Sequence, residues 1–209
     1  MEPESAESFY ARVAAATGAD GRLPVDPDGD LGWDVFPFEA GSLRVKPLGP
    51  LADADPPRRG EDPAECWCAS APPLTDATIW HNERWRLSVA EPTSLPVSLV
   101  LGPLEHHDLP GLPAELAAEM GQLVVSVSAA MEALPSVGRA QLGKFGDGGA
   151  HLHLFFFGRP ARMPQLRGSP LLDWSACLPE LPADVHRANA AYVAGRVAVD
   201  MGGTAVTPA

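Results

Sequence analysis

Phe145-Gly146-Asp147-Gly148-Gly149-Ala150-His151-Leu152-His153-Leu154-Phe155-Phe156-Phe157-Gly158-Arg159 is the stretch on which the reading of the chain turns. From His151 to Phe157 its apolar and aromatic residues suit an extended strand, in which successive side chains point to opposite faces. His151, His153, Phe155 and Phe157 then share one face, and Leu152, Leu154 and Phe156 share the other. The two imidazoles sit roughly 7 Å apart along such a strand, near enough to serve one site and far enough to do different work in it. A histidine acts as nucleophile or metal ligand only through an unprotonated ring nitrogen, and a neighbouring hydrogen bond fixes which nitrogen that is. The turn Gly146–Gly149 predicts a hairpin entry whose freed backbone N–H groups can face an anion.

Working outward, Arg139–Phe145 reads as the strand before that turn. Upstream of it, Leu116, Met120, Leu123, Val124, Val127, Met131 and Leu134 recur at spacings of three and four, which predicts an amphipathic helix. Pro113 suits its first turn and Pro135 its end. Val97–Leu101 is a strongly apolar strand, and Thr78–Trp80 with Trp85–Val89 forms a hairpin closed by His81–Arg84. A further helix is expected from Asp184 to about Val199. Residues 5–17 suit a short helix, and Trp33–Phe38 and Leu43–Val45 suit short extended pieces. The Pro-, Asp- and Arg-rich run Leu51–Asp62 reads as a linker. The expected fold class is therefore α+β: an antiparallel sheet with one principal helix packed on it and a C-terminal helix. The expected domains are an N-terminal extension with linker, 1–62, and a main domain, 63–209.

Composition narrows the partners. With 15 Lys+Arg against 27 Asp+Glu, the formal net charge of -12 repels phosphate backbones, so nucleic acid is not an expected partner, although a local basic pocket for one small phosphate ligand is permitted. Met1–Ser5 is acidic and leads into no apolar run, and no segment approaches ~20 uninterrupted apolar residues, so neither a signal peptide nor a membrane span is expected. Three cysteines, two of them one residue apart, do not make a disulfide framework. A reducing cytoplasm is the expected location.

Cys66-Trp67-Cys68 and His106-His107 offer thiolates and imidazoles that, with His151, would complete a tetrahedral zinc set. On residue types alone either His106 or His107 can be the fourth ligand. Cys177 has no partner in this scheme and reads as a small core residue.

From Cys66 to Pro179 the sequence resembles the histidine triad superfamily of nucleotide hydrolases and transferases, in particular its zinc-containing branch with the galactose-1-phosphate uridylyltransferases. Three blocks carry the likeness: Ile79-Trp80-His81-Asn82-Glu83-Arg84-Trp85, then Leu99-Val100-Leu101-Gly102-Pro103-Leu104-Glu105-His106 with its Pro-x-x-His ending, and the signature strand with trailing Arg159. The resemblance implies that His153 is a nucleophile attacking the α-phosphorus of a nucleotide, that backbone around Gly146 and Gly148 holds phosphate oxygens, and that Arg159, with Lys144 or Arg162, neutralises charge. It also implies a structural zinc on Cys66, Cys68, His106 and His151, leaving His107 to make a polar contact near the helix start. Family members are often homodimers. This chain departs from the pattern twice. The third histidine of the motif is Phe155, which cannot donate a proton, and the acidic residue that members place on the ribose is matched by Ala90, with Glu91 beside it. The alternative reading is a nucleotide-binding protein of the same fold with little catalysis.

Overall fold

Trp80 and Trp85 bracket the first hairpin and both are fully buried, which sets the geometry of the sheet around them. The computed structural model describes residue 15 and residues 17–22, 50–90, 94–163 and 180–206. The helix expected over 5–17 (all but two of its residues), the extended pieces at 33–38 and 43–45, Glu91 and Cys177 lie outside them. The chain divides into two compact units, Met1–Pro56 and Pro57–Ala209, and all that follows concerns the second.

That unit runs β1 (Thr78–His81), β2 (Trp85–Val89), β3 (Ser98–Pro103), α1 (Ala114–Glu132), β4 (Val137–Gly143), β5 (Leu154–Pro160), α2 (Ala183–Met201) and β6 (Thr204–Ala205). The strands form one sheet in the order β4-β5-β3-β2-β1-β6, with every neighbouring pair antiparallel. Alternation along β5 and β3 sends Leu154, Phe156, Leu99 and Leu101 into one continuous core with Leu123, Val127 and Met131 of α1 and Ala190, Val193, Ala194 and Val197 of α2. The small residues of α2 let it lie close against α1. Each buried indole has a partner for its N–H: Trp80 donates to the Gly202 carbonyl at 2.8 Å and Trp85 to Glu119 at 3.0 Å. An indole N–H left unpaired in a core would cost part of what its burial gains.

Two expectations are corrected, and one element was not expected. The histidine strand begins at Leu154, not His151. Leu101 pairs with Leu154, so the ladder would next set Pro103 opposite Leu152, and proline has no N–H to give it. Leu152 instead donates to the His107 carbonyl at 2.6 Å, while its side chain stays in the core and the alternation persists. The preceding strand covers Val137–Gly143 instead of Arg139–Phe145. β6 was not foreseen from sequence. It forms because Gly202 and Gly203, at φ 69 and 79, turn the chain after α2 back onto β1.

Candidate metal centre and adjoining cleft

Cys66 and Cys68 are presented by two short 3-10 turns, Pro63–Glu65 and Trp67–Ala69. Asp62 caps the first by accepting from the Ala64 N–H at 2.9 Å. Trp67, between the cysteines, is packed by the Arg86 guanidinium 4.1 Å from its ring centre and by the His151 ring at 4.8 Å, so the Cys-x-Cys segment is pinned from both sides. His106 comes from the loop after β3 and His151 from the approach to β5.

The ligand atoms of Cys66, Cys68, His106 and His151 all lie within 4.8 Å of one another. Cys66 Sγ is 3.5 Å from His151 Nδ1 and Cys68 Sγ is 3.7 Å from His106 Nδ1. With Zn–S about 2.3 Å and Zn–N about 2.0 Å, a tetrahedron has an S···N edge of about 3.5 Å, so the two close pairs already have the spacing of zinc ligands. The donor chemistry fits as well. His151 Nε2 lies 2.9 Å from the Pro103 carbonyl. A carbonyl only accepts, so the proton is on Nε2 and the Nδ1 lone pair faces the thiols, the arrangement that orients a metal-binding imidazole. Burial lowers the His151 pKa, against the Pro103 bond, and so favours the neutral ligand form. Burial also pushes the Cys68 thiol up to about 11, with Cys66 adding to the shift. A cation would have to displace that proton. His107 points elsewhere: its Nε2 is 3.8 Å from Glu105 and its carbonyl receives Leu152.

His153 is set the opposite way. Its Nδ1 lies 2.7 Å from the carbonyl of His151, which assigns the proton to Nδ1 and leaves the lone pair on Nε2. The two histidines of one extended segment are thus held in opposite tautomers by two backbone carbonyls. His153 lines a cleft of about 700 Å³ whose walls include Arg58, Arg59, Gly60, Glu65, Trp67, Gly148, Gly149 and His151. Phe155 meets the His153 ring edge-on at 5.4 Å and stacks on Phe157 at 5.9 Å.

The expected phosphate-binding residues separate. Gly148 lines the cleft, but Gly146 and Gly148 engage the chain through their carbonyls, which accept from Arg58 Nη1 and from the Arg59 N–H at 3.4 Å each. Gly146, Gly148 and Gly149 are not at positive φ, so the turn is not a left-handed nest. It is a bent run with a single bridge between Gly149 and Arg59. Lys144 lies over Gly146 and 3.5 Å from Asp108, beside the cleft. Arg159 does not reach it. Its guanidinium donates to the Pro160 and Met163 carbonyls, because six residues of extended chain, about 20 Å, separate it from His153. Arg162, at φ 62, turns the chain at that same far end. Ala90 donates to the Ser98 carbonyl.

Sequence reasoning missed the segment Pro57–Gly60, which Leu51–Asp62 had assigned to a linker. Its Arg58 forms a 2.8 Å ion pair with Asp108 and a longer one with Glu61. Burial pushes the Asp108 carboxyl up, but the bonds from Arg58 and the Leu109 N–H outweigh it and hold the pKa below the ordinary value. The only local signal was a pair of arginines beside a glycine, and Gly60 is indeed at φ 79 against Cys66.

No family model matches the sequence, and no curated protein does. Solved structures similar to the chain come from the family that its motif strand resembles. A histidine triad nucleotide-binding protein from Sulfolobus tokodaii is 15% identical, with 62% of this chain and 90% of that one covered and a TM-score of 0.45. A Zn-bound histidine triad family protein from Mycobacterium smegmatis is 16% identical over 60% of this chain and 86% of that one, TM-score 0.44. A uridylyltransferase is 14% identical over 62% of this chain and 44% of its own, TM-score 0.42.

Proposed function

We propose that the protein is a nucleotide phosphohydrolase or nucleotidyltransferase that works at the α-phosphate through a covalent nucleotidyl intermediate on His153. The observation that carries this reading is the tautomer of His153: a lone pair on Nε2, fixed from behind by the His151 carbonyl, on the wall of a cleft that also holds two arginines. A pre-oriented neutral imidazole needs no base to activate it. Nε2 bonds to the α-phosphorus as the bond to the leaving group breaks, and water or a second phosphate compound then takes the nucleotidyl group. Cys66, Cys68, His106 and His151 would hold zinc in a structural role, joining the Cys-x-Cys turn to the β3 and β5 ends and leaving His153 free. The alternative, a nucleotide-binding protein with little catalysis, draws on Phe155, which packs against His153 and carries no proton to give.

The test is turnover of adenosine phosphoramidate, adenylylsulfate and a dinucleoside polyphosphate by wild type and His153→Ala, with trapping of the acid-labile nucleotidyl-histidine. Turnover and adduct in wild type only support the mechanism. Equal rates in both proteins sink it. Nucleotide-dependent thermal stabilisation without any turnover supports the binding module.

A further inference from the structure

Arg86 sits where the sheet meets the Cys-x-Cys turn. Its neighbours in β2, Trp85 and Leu87, enter the core, so alternation turns Arg86 to the opposite face, across from Gly102 of β3. There its guanidinium lies 4.1 Å from the centre of the Trp67 ring and donates through Nη1 to the Pro73 carbonyl at 2.7 Å. One side chain of the sheet thus grips the segment after Cys66 at two points, Trp67 and Pro73. On its other side Trp67 packs against His151, so the indole touches the setting of three candidate ligands, Cys66, Cys68 and His151.

The Arg86 guanidinium is half-buried, and among the described residues no carboxylate pairs with it. Taking a cation out of water without a counter-charge is unfavourable. The one group whose negative charge acts on this guanidinium is Cys68. A cysteine bound to metal carries that charge, because the thiolate is the form that ligates. We infer that Arg86 is the positioning residue of the metal centre: it holds the Cys66-Trp67-Cys68 turn in ligating geometry and takes Cys68 as its counter-ion when metal is bound. This rests on the zinc reading of Cys66, Cys68, His106 and His151 and not on the chemistry of His153. Partners behind the ligands are worth about 10–100-fold in metal affinity. The charge also leaves a spectroscopic mark. A cation beside a sulfur lowers the energy of its electrons, so the sulfur-to-metal charge-transfer band of a cobalt-loaded centre lies at shorter wavelength with Arg86 than without it.

The probes are cobalt(II), read by absorption, and zinc, read by competition with a chromogenic chelator. They are applied to the full chain of wild type, Arg86→Met, Arg86→Gln and Arg86→Lys. Methionine and glutamine keep the stem and lose the charge, whereas lysine keeps the charge. The neutral variants should bind zinc about 10–100-fold more weakly and move the cobalt band to longer wavelength, with Arg86→Lys nearer to wild type in both. Wild-type affinity or an unmoved band in the neutral variants, or a lysine variant no better than they are, overturns the inference and leaves the zinc reading intact. Wild type that takes up neither metal overturns both.

Discussion

Removing metal from this protein should loosen one corner and leave the sheet standing. The four candidate ligands, Cys66, Cys68, His106 and His151, bring the two turns at Pro63–Ala69 together with the loop after β3 and the entry to β5. The large core residues Leu87, Leu99, Leu101, Phe156 and Met131 belong to a separate cluster that contains none of the four. Metal binding to the folded form alone stabilises it by RT ln(1 + [L]/Kd), which is about 4 kcal/mol at a thousandfold excess over Kd. The unit Pro57–Ala209 has about 150 residues, a size at which each kcal/mol moves Tm by roughly 2–4 °C. Zinc-loaded protein should therefore melt about 8–16 °C above the same protein in excess chelator. At 25 °C the far-UV circular dichroism of the two should nearly coincide, because the helices and the β1–β5 ladder do not depend on the ion. Limited proteolysis should cut the chelated form first between Pro57 and Ser70. Cys68→Ser should reproduce the chelated behaviour and bind less than one zinc per chain. Identical melting in excess zinc and in chelator, or metal content well below one per chain after zinc loading, would refute the reasoning. So would wholesale unfolding on chelation, which would mean that the core cannot hold itself together.

Two substitutions extend the tests. Gly203→Ala should destabilise by about 2 kcal/mol or more in urea titration, since an L-residue at φ 79 is strained and its Cβ would lie 2.6 Å from the His81 carbonyl and 3.0 Å from the Trp80 ring; a change below ~0.5 kcal/mol would mean that β6 is not seated as described. Phe155→His should raise turnover of a phosphoramidate by about 10²–10⁴-fold, the ordinary worth of positioned acid catalysis, while changing phosphoanhydride turnover little; equal gains on both substrates would show that the phenylalanine acts through packing alone.

The elements legible in the sequence were those whose signal is local. Trp80 and Trp85 with four residues between them announced the hairpin, and the three-four spacing from Leu116 to Met131 announced α1 because a buried helix stripe must repeat that way. The cluster of Cys66, Cys68, His106 and His151 was readable from residue types as a candidate metal set, with the choice between His106 and His107 resting on resemblance; in the structure His106 turns inward and His107 gives up its carbonyl to Leu152. What was not legible depends on contacts far apart in sequence. Arg58 meets Asp108 and Gly146 across fifty and eighty-eight positions, and Arg59 bridges to Gly149. No periodicity in Leu51–Asp62 encodes those meetings, so its proline, aspartate and arginine content read as a linker. Arg159 failed for the converse reason. It follows the motif closely in sequence, but extended chain carries it about 20 Å from His153.

The start of β5 ties these points together. A regular ladder through His151 and His153 would consume the carbonyl of each alternate residue in cross-strand bonds. Pro103 interrupts the ladder where those histidines begin. The interruption leaves the Pro103 carbonyl to take the Nε2–H of His151, and on the other edge the β4–β5 ladder stops at Gly143 and Phe155, leaving the His151 carbonyl to take the Nδ1–H of His153. Where both ladders stop, two chemically identical side chains are thus held in opposite tautomers, one facing Cys66 and the other on the cleft wall. Continuing the ladder would return both carbonyls to the sheet and remove the hydrogen bonds that distinguish the rings. The same backbone break that shortens the strand is therefore what gives its two histidines different chemistry.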